Sequence, residues 1–170
     1  MATIKVGDTV PEGTFNYIPW TPELENGLVC GVPNKIHTDA WKGKTVVIVA
    51  VPGAFTPTCH ANHLPPFVQR VSELKSKGAS VVACLASNDQ FVMSGWGRSQ
   101  GIKDEILMLS DTYCAWTDQL GLSQDLTERG MGKRTKRFAL ILDDLKVKYI
   151  GVDSKPGVVE SSVDAVLAHL

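Results

Sequence analysis

Lys44-Thr45-Val46-Val47-Ile48-Val49-Ala50-Val51 is an unbroken, largely β-branched run that Pro52-Gly53 stops, and a long helical period begins a few residues later. A run of this kind fills a central strand buried on both faces. Over residues 58–77 the apolar positions Leu64, Phe67, Val68, Val71 and Leu74 recur at helical spacing, Gly78 supplies the end, and the Pro65-Pro66 pair is expected to kink the helix. The chain continues in the same alternation. Residues 81–86 read as the next buried strand, and residues 89–98 as a helix capped by Ser87, Asn88 or Asp89. Residues 106–109 give a third strand, Asp111 caps a helix running to Leu120, and residues 138–142 give a fourth strand. A turn at Asp143-Asp144 joins that strand to residues 147–152 as a hairpin, and residues 161–170 form an amphipathic closing helix. Upstream, weaker strand signals at residues 15–18 and 35–38 flank a Pro- and Gly-bearing loop that carries Cys30 and should be exposed. Interleaved strands and helices with a late hairpin specify an α/β class with a mixed central sheet flanked by helices.

At 170 residues, 44% hydrophobic and 21% charged, with no repeat or low-complexity tract, the chain is expected to form a single domain over residues 1–170. Its 17 Lys and Arg against 18 Asp and Glu give a net charge of −1, so no overall field draws it to nucleic acid or anionic membrane. No apolar run approaches the ~20 residues that span a bilayer, and residues 1–8 lack a secretory layout, so an intracellular, cytoplasmic home is expected. The four cysteines Cys30, Cys59, Cys84 and Cys114 are scattered, with no C-x-x-C pair and no zinc-type spacing. In a reducing compartment such thiols are core residues or redox catalysts. Neither metal nor organic cofactor is expected.

The chemistry is carried by Val51-Pro52-Gly53-Ala54-Phe55-Thr56-Pro57-Thr58-Cys59, which leaves a buried strand and delivers a cysteine to the start of a helix. Unpaired amides and the positive end of a helix dipole favour a thiolate there. A small residue packing under the helix is the bland alternative, since free cysteine is often buried. Two threonines and two prolines beside this one favour function, offering hydroxyl hydrogen bonds and a rigid pocket wall. His60 and His63 follow, and His63 can share a helical face with Cys59; both are read as structural or pocket-lining rather than as a base. Lys133, Arg134 and Lys136 read as a solvated basic loop.

The pattern Pro-x-x-x-Thr-x-x-Cys, filled by Pro52, Thr56 and Cys59, resembles the active-site signature of the peroxiredoxins. Pro-Gly-Ala-Phe-Thr-Pro-Thr-Cys is similar to the type-5 branch, and especially to fungal alkyl hydroperoxide reductases and peroxisomal-type thioredoxin peroxidases. The likeness continues through Ala86-Ser87-Asn88-Asp89, Gly95-Trp96-Gly97, Ser110-Asp111 and Arg137-Phe138-Ala139-Leu140. The resemblance implies a thioredoxin-like fold and a peroxidase for hydrogen peroxide and organic hydroperoxides. In it Cys59 is the peroxidatic nucleophile, Thr56 orients peroxide and thiolate, Pro52 shields the site and Arg137 completes it. Trp96 flanks the pocket in similar proteins, although a tryptophan at helical spacing is as readily core. Some similar fungal proteins are allergens.

A sulfenic acid has to be captured by a second thiol before further peroxide overoxidises it. Many animal type-5 relatives use a cysteine near the C-terminus, and residues 151–170 contain none. Fungal relatives use an early-loop cysteine of the opposite subunit, which matches Cys30. That route implies a homodimer recycled by thioredoxin, with glutaredoxin or glutathione as substitutes. Cys84 lies in an apolar strand and is expected to be inert, while Cys114 is left open. Two rivals stand beside this reading: a cysteine hydrolase, which lacks a third group, and a redox-sensing or chaperone-like protein with little turnover. Ala168-His169-Leu170 resembles a relaxed small-basic-leucine peroxisomal address, making peroxisomal import a second expectation.

Overall fold

The computed structural model describes residues 3–170. Among these residues the strands in chain order are β1 (Thr14–Tyr17), β2 (Asn34–His37), β3 (Thr45–Ala50), β4 (Val81–Ala86), β5 (Leu107–Ser110), β6 (Ser123–Leu126), β7 (Gly132–Thr135), β8 (Phe138–Asp143) and β9 (Lys146–Val152). The helices are α1 (Leu64–Gln69), α2 (Val71–Ser76), α3 (Gln90–Ser99), α4 (Ala115–Gln119) and α5 (Val163–His169). Seven strands form one mixed sheet in the order β2-β1-β5-β4-β3-β8-β9, and β6 and β7 form a separate antiparallel pair. β3 pairs parallel to β4 and antiparallel to β8, which puts it inside the sheet as its β-branched composition requires.

Side chains alternate across a strand, so this sheet builds two cores. Val47, Val49, Val82, Cys84 and Ile141 lie in one with Leu64, Phe67, Trp96 and Val166, beneath α1, α2, α3 and α5. Val46, Ile48, Ala83, Leu140 and Leu142 lie in the other with Trp41, Trp116 and Leu120. There Phe15 stacks on Trp41 at 5.5 Å and meets Trp116 edge-on at 5.2 Å, contacts that contribute ~1 kcal/mol each beyond burial. Cys59 belongs to the first core, so the loop that leads to it from β3 is anchored at its far end by helix-on-sheet packing.

Four sequence expectations are corrected. The helix expected over residues 58–77 is a π turn at Cys59–His63 followed by α1 and α2, broken at Arg70. Pro65 and Pro66 have no amide to give the carbonyls four residues back; the Leu64 N–H reaches instead to Cys59 O, and the prolines take the first turn of α1, where a missing donor costs little. Asp111 does cap a helix, but from a distance. Tyr113 and Cys114 adopt left-handed conformations (φ 60° and 56°), so α4 starts at Ala115 and the Asp111 carboxylate accepts the amides of Trp116 and Thr117. Lys133 and Arg134 belong to β7 rather than to a solvated loop: Lys133 pairs with Asp118 at 2.8 Å, and Arg134 donates to the carbonyls of Met131 and Pro52. The β8–β9 turn falls one residue later than expected, on Asp144 and Leu145, both with positive φ as a type I′ hairpin needs. Asp89 is the cap of α3, accepting the amides of Phe91 and Val92.

Candidate active site

The loop between β3 and Cys59 is fixed bond by bond. Val51 N–H donates to Leu85 O at 2.9 Å, Ala54 N–H to Asn88 Oδ1 at 2.9 Å, and His60 N–H to Thr56 O at 2.8 Å. The Thr56 hydroxyl donates to Gly53 O at 2.8 Å. A Cβ at Gly53 would lie 3.0 Å from Thr56 Cγ2 and 3.3 Å from both Met131 Cε and Arg134 Nη1, so the absent side chain lets the β6–β7 hairpin close on the loop. Cys59 then opens the π turn with 1% of its surface exposed.

Arg137, between β7 and β8, is brought to Cys59 across 78 residues of chain: its Nη2 donates to Cys59 Sγ at 3.3 Å. Its Nη1 lies 2.9 Å from His63 Nδ1. A guanidinium only donates, so Nδ1 is the acceptor and the imidazole proton sits on Nε2. Nε2 is 2.9 Å from both the carbonyl and the hydroxyl oxygen of Ser161 and donates to them. The Ser161 hydroxyl donates onward to Asp153, whose carboxylate also takes the amides of Val159, Glu160 and Ser161. Burial pushes the Asp153 carboxyl up, but the Ser161 hydroxyl and these amides outweigh it and hold it below the usual range. The Asp153 N–H donates to Arg137 O at 3.0 Å, closing the ring. His63 therefore holds Arg137 rather than activating sulfur. The i, i+4 spacing from Cys59 was the only sequence signal for it.

Burial, aided by the Arg137 charge, pushes the His63 imidazole down to about 4, against the pull of the Ser161 carbonyl. The folded value lies below the ordinary one, so the unfolded chain binds the proton first as pH falls. Stability from this group is complete above about pH 6.5 and is lost as pH falls toward 4. The loss amounts to about 3 kcal/mol. Urea unfolding of the wild type and His63→Gln between these pH values is expected to show a steeper acid decline in the wild type. Equal slopes would remove His63 as the source.

The other cysteines divide by exposure. Cys30 is the exposed one, in a loop whose flanks are held by Arg98 Nη1 donating to Leu24 O and Val29 O. Cys84 is fully buried, and burial, with the nearby Cys59, pushes its thiol well above the ordinary value. Cys114 is buried too, and its thiol is pushed up by burial. Trp96 is wholly buried core; its indole N–H donates to His60 Nδ1 at 2.9 Å, backing the Cys59 turn from within. Phe55 stands half-exposed at φ 60°, stacked on His60.

A groove of about 690 Å3 reaches Pro52, Thr56 and Arg137, the residues around Cys59. Its remaining walls come from the β6–β7 turn and the segment after β9. Among the described residues no three His, Cys, Asp or Glu side chains converge as metal ligands, and no helix is long and apolar enough to cross a membrane.

The Redoxin family model matches residues 5–167. A Malassezia furfur protein assigned as a peroxiredoxin is 48% identical over 168 residues, 98% of this chain and 100% of that protein. A Lipomyces kononenkoae protein assigned as a peroxisomal peroxiredoxin is 46% identical, covering 96% of this chain and 99% of its own. The crystal structure of reduced Prx3 from Vibrio vulnificus in complex with H2O2 matches with a TM-score of 0.83 at 35% identity, over 98% of this chain and 95% of that one. With the thioredoxin-like sheet in place and likeness of this extent, the chain belongs to the Redoxin family and is a peroxiredoxin, a peroxidase among the oxidoreductases.

Proposed function

We propose that Cys59 is the peroxidatic nucleophile of a peroxidase for hydrogen peroxide and organic hydroperoxides, and that Thr56, Arg137 and Pro52 complete its site. The observation that carries the reading is the Arg137 Nη2 donor 3.3 Å from Cys59 Sγ. In the proposed step the thiolate attacks the outer peroxide oxygen, an S–O bond forms and the O–O bond breaks. Sulfur is oxidised to sulfenic acid, and the leaving hydroxide or alkoxide takes up a proton. Negative charge spreads over sulfur and two oxygens in line, and a planar guanidinium is suited to meet it at more than one atom. The Thr56 hydroxyl spends its proton on Gly53 O, so its oxygen remains free to accept the hydroperoxide O–H and orient the outer oxygen toward sulfur. Pro52 keeps a rigid, water-poor wall on that approach.

In the second step the Cys30 thiol of a partner subunit attacks the sulfenic sulfur, forming a disulfide and releasing water, and thioredoxin returns both thiols by exchange, with glutaredoxin or glutathione as substitutes. The exposure of Cys30 and the burial of Cys84 and Cys114 support this choice. The unit is then a homodimer of single-domain chains in the cytoplasm. Peroxisomal import is the second location, supported by Ala168-His169-Leu170 and by the name of the Lipomyces relative.

Hydrogen peroxide consumption tests the function. Reduced protein alone is expected to consume one equivalent per chain, and sustained turnover is expected once a thioredoxin system is added. A single equivalent with no turnover under any thiol reductant would instead favour a redox sensor.

A further inference from the structure

Residues 18–33 join β1 to β2, and apart from a 3-10 turn at Pro22–Glu25 they form no regular structure. Loops longer than ~12–15 residues are uncommon, and those that occur are mostly functional or unfixed. This one is pinned on both sides of Cys30. Arg98, in the last turn of α3, donates from Nη1 to Leu24 O at 3.1 Å and to Val29 O at 3.0 Å, so a single nitrogen ties both ends of residues 24–29. Asn26 closes the turn within that segment: its side chain accepts the Leu28 amide and its carbonyl accepts the Val29 amide. On the far side of Cys30, Gly31 has φ 76°, and a Cβ there would collide with Ile18 Cγ2, so the chain runs tight against its own base. Between these two anchors the Cys30 thiol is left exposed, with Leu28 and Val32 exposed beside it.

Stability alone is a poor reason for this arginine. Its Nε is buried without a hydrogen-bond partner, and it makes no ion pair among the described residues, both of them costs for a half-buried cation. A cavity of about 190 Å3 lies beside it, lined in part by Trp20, Leu24, Ile102 and Met108, so packing beneath the loop is incomplete and the two hydrogen bonds carry more of its placement. We infer that Arg98 is a positioning residue for the resolving step: through the Leu24 and Val29 carbonyls it holds the loop in the form that offers Cys30 to the sulfenic sulfur of a partner subunit. The inference rests on the proposal that Cys30 resolves Cys59, and adds the residue that places it. The chemistry is the one already given: the Cys30 sulfur forms the S–S bond, the S–O bond breaks, and the leaving hydroxide takes the thiol proton to give water. Arg98 touches none of these atoms. A thiol already held in its attacking position loses less freedom on the way to the transition state, and that is what the two bonds supply. The same helix backs the nucleophile, since Trp96 donates to His60 in the Cys59 turn.

The test is a single turnover without reductant. Reduced protein is mixed with one equivalent of hydrogen peroxide, quenched over time, and read by intact mass for the sulfenic acid and by non-reducing gel for the covalent dimer. Arg98→Met keeps an unbranched stem and removes both donors. It is expected to form the sulfenic acid at the wild-type rate and the disulfide about 10-fold more slowly, the factor that one charge-assisted hydrogen bond supplies. In excess peroxide it is expected to accumulate more sulfinic acid, because the sulfenic acid lives longer. Arg98→Lys is expected to stay within about 3-fold of the wild type, because both bonds leave one nitrogen and an ammonium can make both. Disulfide formation at the wild-type rate or faster in Arg98→Met would overturn the inference and leave Cys30 as the resolving thiol. Equal slowing of both steps would also overturn it, since Arg98 would then support the fold at large, and so would an Arg98→Lys as slow as Arg98→Met. Covalent dimer persisting in Cys30→Ser would overturn the resolving role of Cys30 and this inference with it.

Discussion

Cys59→Ser is expected to reduce peroxide turnover by about 10^3-fold or more, to the background of the reductant alone. A serine hydroxyl is almost never ionised near neutral pH, and its oxygen cannot cycle through the sulfenic acid that stores the peroxide oxygen. The substitution is nearly isosteric at a site 1% exposed, so a folded protein that has lost its reaction is the expected outcome. Cys30→Ser separates the second step from the first. The variant is expected to consume one equivalent of peroxide, to show a single added oxygen by intact mass, and to form no covalent dimer on a non-reducing gel. Continued exposure is then expected to drive Cys59 to the sulfinic state, since no second thiol arrives. Dimer persisting in Cys30→Ser would move the resolving role to Cys114, and because that thiol is buried, the loop around it would first have to open. Full turnover in Cys59→Ser would end the assignment of the nucleophile.

The parts of this molecule that were legible in the sequence are those set by local pattern. β3 and β4 were readable because residues 45–50 and 81–86 are apolar at nearly every position, which only a two-faced core satisfies. Pro52, Thr56 and Cys59 lie within eight residues, so the motif and the loop coincide. The β6–β7 hairpin was not legible: Ser123-Gln124-Asp125-Leu126 and Gly132-Lys133-Arg134-Thr135 carry no alternation, and the pair is held by distant partners, Arg134 on Pro52 and Lys133 on Asp118. Arg137 entered through resemblance alone, since nothing local ties residue 137 to residue 59. The same distance hid the support beneath it. His63 meets Ser161 across 98 residues, and no periodicity joins a helix-start histidine to the loop after β9. The start of α4 was missed for a different reason: Tyr113 and Cys114 take left-handed conformations that side chains of their type rarely adopt, and tertiary packing had to impose them.

The support beneath Arg137 makes its replacement the second large effect. Arg137→Lys keeps the charge and loses the shape. In the wild type one planar group spans two acceptors, His63 Nδ1 at 2.9 Å and Cys59 Sγ at 3.3 Å, while its backbone carbonyl is held by the Asp153 amide. A lysine ammonium is a single point on a flexible stem, and satisfying His63 leaves sulfur and the transferring oxygen without a fixed donor. Losing one preorganised donor at a developing anion costs about 10^2–10^3-fold, and kcat/KM for hydrogen peroxide is expected to fall by that factor. Alkylation of Cys59 by iodoacetamide, which needs the thiolate but not a donor for peroxide oxygen, is expected to slow by less than about 10-fold, because a cation still stands near the sulfur. The gap between the two rates isolates what the guanidinium does in the peroxide transition state. If both fall by the same factor, Arg137 acts only by keeping sulfur ionised, and the planar two-point contact has no separate part in the oxygen transfer.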